Sequence, residues 1–160
     1  ITFYAPGNDP RRLLQREAAI AAEELFKRAQ KEEIHLWGIS GYRSYKRQEE
    51  LFSSANGRSG VAPPGCSEHQ TGLALDISCP DENYELEESF AKTKEGCWLA
   101  RHCALFGFIL RYPKNKEEIT GFPFEPWHIR YTGIGLASSL TLTGMTLEEY
   151  YERGLHLPPK

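Results

Sequence analysis

No apolar run in this chain of 160 residues approaches the roughly 20 residues needed to cross a bilayer, so the sequence offers no membrane-spanning helix. The N-terminal residues do not read as a signal segment. A start at Ile1 instead of Met is expected of a processed domain whose export signal or anchor has been removed. A basic stripe is missing as well: 19 Lys and Arg stand against 22 Asp and Glu, for a formal charge of -3, and the cations are scattered among the acids. That removes the electrostatic footprint of a nucleic-acid binder. The four cysteines, Cys66, Cys79, Cys97 and Cys103, lack C-x-x-C spacing, which argues against a structural zinc site on sulfur. Cys97 and Cys103 fall in one predicted helix with about 9 Å of rise between them, too far for a mutual disulfide. Any disulfide must therefore tie this helix to Cys66 or Cys79, and free buried thiols are an equally good account. No repeat, low-complexity segment or shift in composition marks an internal boundary, so residues 1–160 are expected to form a single domain.

Two stretches carry chemistry. S-E-H-Q-T-G-L-A-L-D runs from Ser67 to Asp76, and E-P-W-H-I-R-Y runs from Glu125 to Tyr131. Catalytic zinc takes three protein ligands from His and Asp or Glu, keeps a position open for water, and needs a carboxylate nearby that is not a ligand. His69, Asp76, His128 and Glu125 fit that inventory. Leu73, Leu75 and Ile77 alternate with Ala74, Asp76 and Ser78, which predicts a strand with one apolar face and Asp76 on the other. His69 lies an odd number of residues earlier, so it is expected in the turn before the strand, with Gly72 supplying the bend. Pro126 favours a strand start, with His128 and Arg130 on one face and Trp127, Ile129 and Tyr131 on the other; Glu125 is expected just ahead of that strand.

Taken in order, Asp9-Pro10 reads as a helix start, followed by Leu14, Ala18, Ala22, Leu25 and Ala29 at helical spacing. Ile34 to Ser40 reads as a short strand. Ser44 is a candidate N-cap for a helix ending near Phe52, which would leave Arg43 at the strand-to-helix corner, where catalytic groups are often placed. A surface arginine paired with an acid is an equal alternative. Ser53 to Gly65, rich in Gly, Ser and Pro, is a predicted loop bordering the site, and Pro80 to Glu88 a predicted solvated excursion. Trp98, Leu99, Cys103 and Phe106 predict a helix stopping at Gly107, with Phe108 to Tyr112 as a strand. Ile134 to Leu142 predicts a helix ended by Gly144, and Thr146 to Glu149 matches a capping box opening a last helix before Gly154. His35, His102 and His156 have no comparable context and are expected to be structural or exposed. The pattern as a whole implies an α+β fold, a small antiparallel sheet carrying the zinc site and flanked by helices.

From Ile39 to Tyr150 the chain resembles the VanY-like zinc D-alanyl-D-alanine carboxypeptidases, a group that includes L,D-carboxypeptidases of peptidoglycan. The likeness rests on S-G-Y-R-S at Ser40, P-P-G-C-S-E-H-Q-T-G-L-A-L-D-I from Pro63, F-G-F-I-L-R-Y-P from Phe106 and E-P-W-H-I-R-Y from Glu125. It implies one zinc ion held by His69, Asp76 and His128, with Glu125 as catalytic base and Arg43 as the cation polarising the scissile carbonyl. Gln48 and Ser67 match positions near the substrate. The segment Ser53 to Ala62 is shorter than is usual among relatives, and the cysteines are no part of the family pattern. The implied partner is a peptidoglycan stem peptide and the implied location is extracytoplasmic, facing the bacterial wall, with a cytoplasmic location still open. The alternatives carried beside terminal D-alanine removal are endopeptidase cleavage of peptide cross-bridges and a zinc-bound wall-recognition domain without turnover, as in hedgehog relatives of the fold.

Overall fold

In the computed structural model, which describes residues 1–56 and 60–155, the first departure from expectation is at the N-terminus. The Asp9 carboxylate accepts from the Arg11 N–H, but it caps only a 3-10 turn, Pro10–Arg12. Helix α1 begins later, at Arg16, and runs to Lys31. The reason is visible at Gln15, whose backbone N–H donates to the Gly72 carbonyl (2.8 Å) and whose side chain donates to the Thr71 carbonyl (2.8 Å). The chain is held extended there against the turn that carries His69. Beyond it, Ala18, Ala22, Leu25, Phe26 and Ala29 form the buried stripe of α1.

The remaining elements follow in chain order. They are β1 (Trp37–Ser40), α2 (Tyr45–Ala55), β2 (Ala74–Ser78), α3 (Lys94–His102), β3 (Phe108–Tyr112), α4 (Glu117–Thr120), β4 (Glu125–Tyr131), α5 (Ile134–Thr143) and α6 (Leu147–Leu155). Strand β1 is shorter than the expected Ile34 to Ser40. Ser44 caps α2 as expected, accepting from the Arg47 N–H, and the helix continues to Ala55, into the expected loop. Residues 57–59 of that loop, and His156, lie outside the described residues. The helix predicted through Phe106 breaks at His102, and Cys103–Phe106 continues as a 3-10 turn ending on Gly107. All four thiols are free, Cys79 and Cys103 buried and Cys66 and Cys97 exposed. Thr146 and Glu149 form the reciprocal capping box, with N–H to carboxylate at 2.8 Å and N–H to hydroxyl at 3.3 Å, and α6 runs through Gly154.

The strands form one antiparallel sheet in the order β1-β2-β4-β3, which confirms the α+β expectation. Leu75, Ile77, Phe108 and Ile129 pack on Ala22, Leu25 and Ala29 of α1 and on Trp98 and Leu99 of α3. Each fully buried large side chain in that layer contributes about 1.5–3 kcal/mol relative to exposure. A second cluster joins Ile109 to Ala137 and Leu140 of α5 and Leu147 of α6. All five residues of β2 are buried, Leu75 and Ile77 in the core layer and Asp76 on the wall of a cavity. Glu125 is the first residue of β4, paired with Tyr112, and not a residue ahead of the strand. No helix among the described residues is long and apolar enough to cross a membrane.

Candidate metal centre

Sheet register brings two of the nominated ligands together before any side chain is considered. Asp76 of β2 and His128 of β4 are direct cross-strand partners. The third arrives from the 3-10 turn Glu68–Thr71, which ends on Gly72 in the left-handed region (φ 69°). A side chain at Gly72 would be strained by that backbone and would sit 3.1 Å from the Gln15 nitrogen.

The His69 turn is fastened to the corner between β1 and α2. His69 Nδ1 lies 2.7 Å from the Gly41 carbonyl oxygen, and the Arg43 N–H donates to the His69 carbonyl at 3.1 Å. Gly41 sits so close to the preceding turn that an added Cβ would fall 2.5 Å from the Leu13 carbonyl oxygen. Because His69 Nδ1 must donate to a carbonyl, Nε2 is the nitrogen left to ligate a metal, and it faces Asp76 Oδ2 at 3.1 Å. His128 turns Nδ1 toward Asp76 Oδ1 at 2.9 Å. One donor atom from each of His69, Asp76 and His128 lies within 4.8 Å of the others, and all three residues are buried. Two imidazoles and a carboxylate converging in this way fit a zinc ion that keeps a position open.

The electrostatics favour a cation. Burial alone would lower the His128 pKa, but hydrogen bonding to Asp76 and Glu68 and the charge of Asp76 and Glu125 raise it to about 9. Burial pushes the other way on Asp76, whose carboxyl is nonetheless held far below the usual range by His69 and His128. Glu125 Oε2 stands 4.0 Å from His128 Nδ1. Burial, with Asp76 and Glu68 adding to it against His128 and Arg43, pushes the Glu125 carboxyl up to about 7.

Arg43 is not the surface arginine of the alternative reading, its side chain being only 20% exposed. Its guanidinium donates to Gln48 Oε1 (3.0 Å) and Ser40 Oγ (3.2 Å) and stands 3.9 Å from Asp76 Oδ2. Burial pulls its pKa down while Asp76 opposes that. Gln48, only 1% exposed, also donates to the Ala62 carbonyl at 2.7 Å, so it ties Arg43 to the chain leading into the central motif. Ser67 is buried and its hydroxyl makes no cap hydrogen bond. A cavity of about 430 Å³ is lined by all seven nominated residues, Arg43, Gln48, Ser67, His69, Asp76, Glu125 and His128. Its apolar walls include Leu51, Leu86, Phe122 and Trp127, so the Pro80 to Glu88 segment, expected to be solvated throughout, contributes Leu86 to the site. His102, by contrast, stacks on Trp98 with centroids 4.4 Å apart, and His35 is exposed.

The motifs did not nominate Glu68 or Tyr112, although both line this cavity. Tyr112 stacks on Phe122 with ring centroids 4.6 Å apart and lies tilted against the His128 ring at 5.0 Å. Glu68 Oε1 accepts from Arg111 (2.8 Å) and Arg130 (2.9 Å). Burial would raise the Glu68 pKa, but the contacts with His128, Arg111 and Arg130 bring it to about 2. The available signal was charge: Glu68, Arg111 and Arg130 each sit inside one of the quoted motifs, next to a nominated or core position.

The sequence pattern of the family described as VanY, D-alanyl-D-alanine carboxypeptidase, matches residues 11–134. YodJ of Bacillus subtilis strain 168 is 45% identical over 150 residues, an overlap covering 89% of this chain and 55% of YodJ. The chain thus spans about half the length of that curated relative. Among solved structures, the LdcB LD-carboxypeptidase matches with a TM-score of 0.90 and 43% identity, covering 95% of this chain and 74% of that one. A Zn(II) complex of the vancomycin-resistance D,D-pentapeptidase VanY, in variant form, matches with a TM-score of 0.72 and 34% identity, covering 86% and 83%.

Proposed function

Because this chain belongs to the VanY family of D-alanyl-D-alanine carboxypeptidases, we propose that it is a zinc-dependent carboxypeptidase that removes the C-terminal D-alanine from peptidoglycan stem peptides. One observation carries the reading: residues from separate stretches of sequence, two imidazoles and three carboxylates among them, line a single cavity with an arginine on its wall. His69, Asp76 and His128 would hold one zinc ion. When bound, zinc lowers the pKa of a water to about 7 and withdraws charge from a carbonyl oxygen.

The chain's own residues supply the rest. Glu125 takes the proton from the water as its oxygen attacks the terminal amide carbon. It returns that proton to the nitrogen as the C–N bond breaks, releasing D-alanine as a free amine. Glu125 is a carboxylate when it takes the proton and a carboxyl when it returns it, the two forms a general acid–base group must supply in turn. Arg43 offers its guanidinium to the charge that develops on the carbonyl oxygen, and Gln48 holds the guanidinium in place. Ser67 stands on the cavity wall as a substrate contact, and Leu51, Phe122 and Trp127 give the peptide apolar surface and exclude water. The substrate places the site of action outside the cytoplasm, at the wall, with residues 1–160 acting as one peptidase domain.

A second reading within the same chemistry, cleavage of an L,D linkage at the end of a tetrapeptide stem, is favoured by the higher TM-score to LdcB than to VanY. The test is incubation of zinc-loaded protein with matched tetrapeptide and pentapeptide stems, reading released D-alanine by mass spectrometry. Release from either stem, abolished in Glu125→Ala with zinc content intact, is expected. Zinc-replete protein that releases D-alanine from neither stem would overturn the proposal, and cleavage confined to cross-bridged muropeptides would replace it with an endopeptidase.

A further inference from the structure

The two imidazoles of the centre park their ring protons differently. For His69 the acceptor is a backbone carbonyl, Gly41 O at 2.7 Å. His128 already presents Nδ1 to Asp76, so a lone pair on Nδ1 requires the ring proton on Nε2, and that nitrogen needs an acceptor of its own. Among the described residues Glu68 Oε2 provides one, 3.5 Å away. That contact is long for a hydrogen bond, so by itself it fixes little. What fixes it is the far side of the carboxylate, where Arg111 Nε (2.8 Å) and Arg130 Nη1 (2.9 Å) both grip Oε1 and leave Oε2 aimed at the ring. Arg111 is in turn clamped by Glu148 at the start of α6, with contacts of 3.0 Å and 2.5 Å.

We propose that Glu68 is a positioning residue of the metal centre, holding His128 in the orientation and tautomer that present Nδ1, with Arg111, Arg130 and Glu148 forming the rigid backing that extends to α6. The inference rests on the reading of His69, Asp76 and His128 as a zinc-ligand set. It assigns to Glu68 no contact with substrate and no part in the proton transfer. Outer carboxylates that orient a ligating imidazole change metal affinity by about 10- to 100-fold when removed, and the same range is expected here.

The experiment measures zinc affinity by competition with a chromogenic chelator, which needs no substrate, alongside circular dichroism and thermal unfolding. Glu68→Gln keeps size and shape but presents a neutral amide, and it should bind zinc about 10- to 100-fold more weakly with its fold retained. Arg130→Gln leaves Arg111 on Oε1 and should weaken zinc by a smaller factor, which keeps the idea testable if Glu68→Gln does not fold. Lys116→Ala breaks a second ion pair anchoring α6, Lys116 to Glu149 at 2.7 Å, and should leave zinc affinity unchanged. A purely structural role for Glu68 predicts lower thermal stability with unaltered zinc binding. Folded Glu68→Gln protein that binds zinc within a factor of about two of the wild type therefore overturns this inference and leaves the peptidase reading intact. Wild type that binds zinc tightly but spares both stem peptides overturns the peptidase reading alone. Wild type that binds no zinc overturns both.

Discussion

Glu125 is 9% exposed, and in the metal-free protein burial pushes its carboxyl up to about 7 from an ordinary 4.5, so the fold resists its ionisation. The sign of the consequence is fixed by that direction. A carboxyl whose folded pKa is raised stabilises the protein, relative to its ionised form, below the unfolded value, and that stability is lost as pH rises from about 4.5 through about 7. At pH 8 the penalty is about 3 kcal/mol, and at pH 5 it is under about 1 kcal/mol. Glu125→Gln removes the charge and keeps the side chain's bulk. In chelator-treated protein, urea unfolding should show the variant little changed at pH 5 and more stable by up to about 3 kcal/mol at pH 8. Zinc should shrink that gain, because a divalent charge nearby favours the carboxylate. In the same variant, peptide hydrolysis should fall by about 10²- to 10⁴-fold, the usual range for a general acid–base group. Opposite signs in one substitution are what a buried catalytic acid requires. A metal-free variant no more stable than wild type at pH 8, or a gain independent of pH, would refute the reasoning.

Arg43→Ala should reduce kcat for D-alanine release by about 10²- to 10³-fold at saturating zinc, as loss of one oxyanion donor does, while zinc content stays at wild-type level. Gln48→Ala strips one of the partners from Arg43 and leaves the buried Ala62 carbonyl without its Gln48 donor, so urea unfolding should show a loss of about 1–3 kcal/mol together with reduced turnover. Under native conditions a maleimide should label Cys66 and Cys97 only; Cys79 and Cys103 should react after unfolding, since both are buried and burial pushes the Cys103 thiol up to about 12. Gly96→Ala places a Cβ 1.9 Å from the Phe90 carbonyl oxygen and should cost about 3 kcal/mol of stability by thermal unfolding, more than helix propensity can return.

What was legible in the sequence was local chemistry. Ser44 and the Thr146–Glu149 box predict helix starts because a side-chain oxygen must meet a free N–H, and both do so here. The period of Leu73, Leu75 and Ile77 likewise places the core face of β2. Readings failed where a distant segment supplied the partner. Asp9 and Pro10 have the residues of a helix start, but the bonds from Gln15 to Thr71 and Gly72 delay α1 to Arg16. The alternation in β2 puts Asp76 off the apolar face but does not reveal that all five residues of the strand are buried, with Asp76 lining the cavity. Glu68 escaped nomination for a similar reason. As one acid among 22, it is distinguished only by what approaches it from β3 and β4.

The assembly of the site follows from the register of one sheet. Ser40 pairs with Asp76 and Asp76 with His128, so an Arg43 partner and two nominated ligands share one row across the sheet, and the pair of Glu125 with Tyr112 brings the nominated base and an aromatic wall to the end of the same ladder. Side chains alternate faces with a period of two, so a one-residue slip of β2 would send Asp76 into the layer now held by Leu75 and Ile77 and bring an apolar side chain to face His128. Both faces of β2 are fully buried, which makes such a slip costly on either side. The irregularities in the ladder fall at its ends, between Gly38 and Ser40 and between Leu110 and Tyr112, where Arg43 and Glu125 enter. The regular centre of the sheet therefore sets the distance between Asp76 and His128, while its bulged margins aim the groups that act on the substrate.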